Sequence, residues 1–362
     1  MSITENSDGR VSVIIPARNE EANIARAVRS VAAQEDVREI LVVDDQSTDC
    51  TSEVLEALKA EVSGLRVMPI DSLPPGWLGK THAAAVGARA ADAAWLLFTD
   101  ADTEHLPGSL RQLLRRAEQQ DVDLLSVSPG QVTLTWWEKA AIPMIYAWLA
   151  KRFRFEEVNN PASSSAAANG QYILIRRDTY FRAGGHESLR NVVLEDVALA
   201  QRVKASGGRL LFLPGAQWVR TRMYLTFRGM WEGWTKNLYL LAGESAGALL
   251  ATIIEFCFLD LVPAASPIIL AAAAAGSLSW TRVVPFVIAG ILVFLWRSSR
   301  YRHTIVKLGF EPTLAKYRIP GAILVCLLLL NSAWTYCRGG KVKWKGRTYG
   351  SVTRKVPEGR VE

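Results

Sequence analysis

Ala94-Trp95-Leu96-Leu97-Phe98-Thr99-Asp100-Ala101-Asp102 decides how the rest of the chain is read. Five apolar residues make a buried strand, and two carboxylates one residue apart follow it. On extended backbone side chains alternate faces, so Asp100 and Asp102 are expected to point the same way. Two hard oxygen donors at a strand's C-terminal end suit one divalent cation. Mg²⁺ or Mn²⁺ takes one or two carboxylates and fills its shell with water and phosphate oxygens. Asp is also a common turn residue, so the pair taken alone reads first as a solvated turn. What surrounds it has to choose.

Upstream, Val11-Ser12-Val13-Ile14-Ile15-Pro16 is a β-branched run stopped by proline, a first buried strand. A polar loop, Ala17 to Glu21, leads to a helix with Ile24, Ala27, Val28 and Val31 on one face and Asn23 as a possible cap. Glu39-Ile40-Leu41-Val42-Val43-Asp44-Asp45 is a second strand ending in acids, and Leu65 to Met68 a third. Strands alternating with helices imply an α/β fold with a parallel, doubly wound sheet. Such sheets bind ligands beyond the carboxyl ends of their strands. Three polar clusters fall there: Pro16 to Glu20, Asp44-Asp45 and Asp100 to Asp102. Gly76-Trp77-Leu78-Gly79-Lys80 before an alanine-rich helix suits an anionic ligand, or a capping loop with a solvated lysine. It is not a P-loop, because GxxxxGK[ST] is absent.

Downstream, Gly170 to Ile175 reads as a strand and Gly184-Gly185-His186 as a turn. Glu195 and Asp196 open an amphipathic helix, either as macrodipole partners or with one acting as a general base aimed at the sheet edge. Trp136 to Phe155 mixes tryptophans with a basic end and reads as an interfacial or core helix. Apolar stretches cover about 247–278, 283–296 and 319–336, with Glu255, Asp260, Pro263 and Pro267 interrupting the first. Three spans, four, or a hairpin all remain open.

Composition narrows the partners. The chain has 362 residues, 49% of them hydrophobic, and a net charge of +7. Its mean hydropathy is +0.11. No basic array with stacking aromatics is present, which favours phosphate and lipid surfaces and excludes a nucleic-acid module. The four cysteines have no CxxC spacing and read as reduced structural thiols. The polar first ten residues lack an apolar segment, so no signal peptide is expected, and the sheet domain is expected in the cytoplasm.

Taken together, Ile14 to Glu20, Val42-Val43-Asp44-Asp45-Gln46-Ser47-Thr48-Asp49, Asp100-Ala101-Asp102 and Leu194-Glu195-Asp196 resemble a family 2 glycosyltransferase of the GT-A fold. The likeness covers residues 11–236. Gly76 to Lys80, Glu232 to Asn237 and Trp344-Lys345-Gly346-Arg347 narrow it to membrane-attached bacterial members acting on hopanoid or carotenoid lipids.

The resemblance implies a Rossmann-like, mostly parallel catalytic domain over 1–236 with an interface helix at about 227–240. It further implies a transmembrane region over 237–340 and a basic tail over 341–362, in a multi-pass protein of the cell inner membrane. Pro16, Arg18, Glu20, Asp44 and Asp45 would form the nucleotide pocket, with Lys80 by the base or diphosphate. Asp100 and Asp102 would hold Mg²⁺ or Mn²⁺ on a UDP-sugar. Asp196, with Glu195 beside it, would deprotonate the acceptor hydroxyl of a membrane lipid, giving inversion. Arg222, Arg228 and Trp234 are expected near the acceptor or diphosphate. The Gln-x-x-Arg-Trp motif of processive polysaccharide synthases survives only as a tryptophan in Met230-Trp231-Glu232-Gly233-Trp234, which weakens that alternative. A non-catalytic membrane protein of the same fold is the other alternative.

Overall fold

The computed structural model describes residues 10–276, 280–338, 342–344 and 347–349. The first nine residues, the Lys345-Gly346 pair and most of the basic tail lie outside them. The strands are β1 Val11–Ala17, β2 Val37–Asp44, β3 Leu65–Pro69, β4 Trp95–Phe98, β5 Thr103–His105, β6 Leu124–Ser128, β7 Gly130–Gln131, β8 Ile173–Arg176, β9 Leu210–Pro214 and β10 Val219–Thr221. The helices up to the middle of the chain are α1 Ile24–Ala32, α2 Thr51–Glu61, α3 Gly79–Ala90, α4 Ser109–Gln119, α5 Trp136–Arg152, α6 Phe155–Val158, α7 Arg177–Arg182 and α8 Glu195–Ala205. After them come α9 Phe227–Leu241, α10 Ala246–Phe256, α11 Val262–Ala264, α12 Ser266–Ala274, α13 Trp280–Lys307 and α14 Arg318–Cys337.

Two units make up the chain. One comprises Met1–Val132, Phe153–Met223 and Lys345–Glu362; the other comprises Thr133–Arg152 and Tyr224–Trp344. Thus α5 groups with the C-terminal helices, while Arg347–Tyr349 group with the sheet.

In the first unit seven strands run in the order β3-β2-β1-β4-β8-β6-β9. The pairs β2–β3, β1–β2, β1–β4 and β6–β9 are parallel. Strand β8 is antiparallel to both β4 and β6, so the sheet is mostly parallel, as expected, with one antiparallel strand inside it. After α6 ends at Val158, the chain enters β8 through a loop and a turn at Asn169–Tyr172. Alternation along β1 divides the core. Val11, Val13 and Ile15 join Ile24, Val28, Leu55, Leu58, Leu110 and Leu113 on one face. Ile14 joins Ala84, Ala88, Phe98 and Leu199 on the other. Gly87 lets α3 lie close to β1, because a Cβ there would meet Ile14 Cγ2 at 2.5 Å. A second sheet, β5-β10-β7, follows the Asp100–Asp102 turn and ties it down: the Thr221 hydroxyl donates to the Asp102 carbonyl at 3.3 Å.

The second unit is helical. Three segments are long and apolar enough to cross a membrane: Ala246–Ala264, Val283–Lys307 and Pro312–Cys337. The first carries a π-helical stretch at Cys257–Leu261. Its buried Asp260 pairs with Arg318 and, at 3.4 Å, with Arg297. Asp260 thus interrupts an apolar helix at no unpaired-charge cost, since two arginines from neighbouring helices face it.

Candidate active site

The Asp100–Asp102 stretch is a turn after β4, not extended backbone, so the alternation argument for a shared face does not apply. Close sequence spacing on a turn still keeps both carboxylates at the sheet edge. Asp100 does not stand alone: Lys80 Nζ lies 2.7 Å from Asp100 and 2.8 Å from Glu195. Lys80 is therefore the bridge between the two acidic segments. Burial alone would drive its proton off, but Asp100, Glu195 and Asp196 outweigh burial and hold it charged well above the usual lysine range. Helix α3 delivers it. Leu78 is extended, its N–H donates to the Arg190 carbonyl at 2.7 Å, and the Thr81 hydroxyl turns back onto Leu78 and Arg190.

Glu195 and Asp196 open α8, where the helix macrodipole favours carboxylates. Asp196 Oδ1 accepts from the Val197 N–H at 2.8 Å, and Oδ2 from the Gly170 N–H at 3.0 Å. Burial and the neighbouring Glu195 raise its pKa to about 6, against the opposing pull of Lys80. Gly170 is the close-approach point. A Cβ there would sit 2.9 Å from Lys80 Nζ and 3.6 Å from both Asp196 and Glu195. Strand β8 begins only at Ile173 because Gly170–Tyr172 is spent on the turn that brings this N–H to Asp196. The cleft between these groups is lined by Pro16, Lys80, Phe98, Asp100, Gly170, His186 and Glu195.

The neighbouring strand ends supply a second wall. Arg18 Nη1 donates to the Gln46 carbonyl at 2.8 Å and also to that of Asp45, locking the two loops together. Glu20 accepts from Asn23 Nδ2 at 3.1 Å, so Asn23 serves Glu20 and does not cap α1. Asp44 is consumed inside its own turn. It accepts from the Ser47 N–H and hydroxyl and from the Ser52 hydroxyl at 3.1, 2.6 and 2.7 Å. Asp45, also buried, faces Arg347.

Arg222 directly follows β10 in the sheet unit, whereas Arg228 and Trp234 belong to the helical one. Arg228 is highly exposed and pairs with Glu232 at 2.8 Å one turn on. Trp234 is buried beside Tyr146 and Tyr224, and its Nε1 has no hydrogen-bond partner among the described residues.

Three participants escape sequence reasoning. His186, read as part of a turn, lines the cleft; burial lowers its pKa to about 4, so it is neutral there. Its Nδ1 lies 3.0 Å from the Tyr180 hydroxyl. Gly170 had no motif to mark it. Arg347 sits in the closing Trp344 to Arg347 run, but 302 positions of separation from Asp45 hide the contact.

Among the described residues no three His, Cys, Asp or Glu side chains gather into a complete metal cage. A cation held by Asp100 and Asp102 would take its other ligands from water and phosphate, which these two hard donors at an open edge suit.

Comparison with known proteins agrees with this geometry. Residues 12–181 match glycosyl transferase family 2. The 4,4'-diaponeurosporenoate glycosyltransferase of Staphylococcus aureus (strain MRSA252) is 27% identical over 343 residues, 94% of this chain and 88% of the relative. The protein of that name from strain USA300 is 28% identical over 251 residues, 68% of this chain and 66% of the relative. A solved mannosyltransferase from Pyrobaculum calidifontis, in complex with GDP-Man and Mn²⁺, has a TM-score of 0.51 at 19% identity. It covers 88% of this chain and 87% of its own, and the likeness shows a shared GT-A-type fold. Residues 12–181 are a glycosyl transferase family 2 domain, and the chain that carries them is a glycosyltransferase.

Proposed function

We propose that this protein moves one sugar from a nucleotide-sugar donor, UDP-linked, to the hydroxyl of an apolar terpenoid lipid of the carotenoid or hopanoid class. The observation that carries the mechanism is the Asp100–Lys80–Glu195 bridge with Asp196 beside it. It links a donor half at the sheet edge to a carboxylate at a helix start. Asp196 takes the acceptor proton, and the activated oxygen attacks the anomeric carbon in line with inversion. Its raised pKa suits a base operating near neutrality. Asp100 and Asp102 hold Mg²⁺ or Mn²⁺, whose chemistry is to offset charge on the departing diphosphate. Lys80 is placed to exchange its carboxylate contacts for phosphate oxygens. Pro16, Arg18, Glu20 and the Asp44-Asp45 loop form the nucleoside side.

The lipid class rests on the named activity of the relatives and on the three apolar helices. Those helices also support a multi-pass inner-membrane protein with a cytoplasmic catalytic domain. The test is to incubate membranes containing the protein with labelled UDP- and GDP-sugars and extract the lipids. A labelled glycolipid is expected. A labelled polymer would turn the reading to a polysaccharide synthase.

A further inference from the structure

Arg347 reaches the nucleoside wall of the sheet from near the end of the chain. Its guanidinium makes a two-pronged contact with Asp45: Nη2 donates to Oδ1 at 3.0 Å and Nη1 to Oδ2. Nη2 also donates to Gln46 Oε1 at 2.8 Å. Both partners are enclosed, with side-chain exposures of 14% for Arg347 and 4% for Asp45. Among the described residues no other side chain hydrogen-bonds the Asp45 carboxylate. Gln46 has a left-handed φ of 57°, and its amide nitrogen donates to the Asp71 carbonyl at 3.0 Å. The loop is therefore held in a disfavoured conformation from both ends of one side chain.

A second feature is built around the same pair. A Cβ on Gly79 would come 2.1 Å from Asp45 Oδ2 and 2.4 Å from Arg347 Nη1. Glycine at the start of α3 is what leaves room for the fork. His82, one turn along α3, has a buried Nδ1 without a hydrogen-bond partner among the described residues, and it lies edge-on to Trp77 at 5.1 Å. An unpartnered polar atom and a pre-aimed carboxylate meet here, which is what a planar heterocycle with N–H groups needs.

We propose that Arg347 is a positioning residue of the donor site: it fixes Asp45 and Gln46 so that Asp45 can accept from the nucleobase of the donor. This rests on the donor reading above. The physical reason is the state of Asp45 without it. A buried carboxylate left unpaired relaxes toward solvent and no longer aims at the base. Paired through one lone pair on each oxygen, it keeps its second lone pairs for a base N–H and brings no net charge to the pocket. Arg347, 302 positions from Asp45, thereby becomes part of substrate recognition.

The test is titration of the detergent-solubilised full-length protein with UDP, GDP and uridine. Arg347→Ala is expected to weaken UDP binding roughly tenfold or more. Uridine should lose the same factor, because the effect passes through the base and not the phosphates. Donor KM should rise with the dissociation constant while kcat moves less. Arg347→Lys should recover part of the loss, since one ammonium cannot fork over Asp45 and Gln46 together. Gly79→Ala displaces the pair without touching the tail and should reproduce the loss, and the double variant should be no weaker than Arg347→Ala. Arg347→Lys and Gly79→Ala carry the test if Arg347→Ala does not fold. UDP binding as tight as wild type, or tighter, in Arg347→Ala overturns the inference. So does a loss for UDP with none for uridine. Wild-type protein that binds no nucleotide overturns the donor reading itself.

Discussion

Asp196 combines three constraints that few carboxylates meet together. It opens a helix, accepts two backbone N–H groups and sits against Glu195. The amides and Lys80 favour its charged form, while burial and Glu195 oppose it, and the balance raises its pKa to about 6. A base is active only when deprotonated, so kcat/KM for transfer should rise with pH through about 6 and level off above it. A profile flat from pH 5 to 8 would remove Asp196 from the role. Asp196→Asn keeps the shape and loses the basicity. Transfer should fall on the order of 10²–10⁴-fold, while UDP binding by titration stays close to wild type. Asp102→Ala should weaken UDP binding in the presence of Mn²⁺ and leave metal-free binding unchanged. Equal affinity with and without Mn²⁺ in the wild type would contradict the metal assignment.

At the level of elements, glycines decide which pieces approach. Gly87 brings α3 onto β1, and the N-terminus of that helix carries Lys80 to the edge of the sheet. Gly87→Ala must push Ile14, which is fully buried, and should cost about 1–3 kcal/mol, read as a lower midpoint in chemical denaturation. Gly170→Ala acts differently. Its Cβ meets Lys80 Nζ, the far end of a flexible side chain, so the fold should survive while transfer drops. Unchanged turnover in that variant would mean that the close packing of Gly170, Lys80 and Asp196 is irrelevant to chemistry. Near-continuous apolar runs in β1, β2 and β4 marked these strands in the sequence because both faces of each are buried. The direction of β8 was not marked: period-2 patterning is the same read parallel or antiparallel.

Over the whole molecule, an α/β sheet unit and a helical unit divide the work. The helical unit exposes large apolar side chains, among them Phe258, Ile268, Phe286, Leu292 and Trp334. Lipid is the solvent that suits such a surface. The protein should stay with the membrane pellet after an alkaline carbonate wash and leave only with detergent. Release by carbonate would show that the three long helices are not embedded. Asp260 with Arg297 and Arg318 shows how charge is tolerated in that unit, through pairing between helices that are distant in sequence.

Local pattern alone settled the strand–helix alternation, the polar strand ends, the acid pair opening α8 and the apolar C-terminal stretches. Each of these depends on neighbours within a few residues, which is the range over which periodicity and capping operate. The tertiary structure alone decided where the charges meet. Asp100-Ala101-Asp102 turned out to be a turn whose first carboxylate is shared with Lys80, 20 positions away, and through it with Glu195. Asp44 was spent within its own loop, while Asp45 drew a partner from the last residues described. Electrostatic pairing depends on distance in space, and chain separation carries no information about that distance until the sheet is assembled.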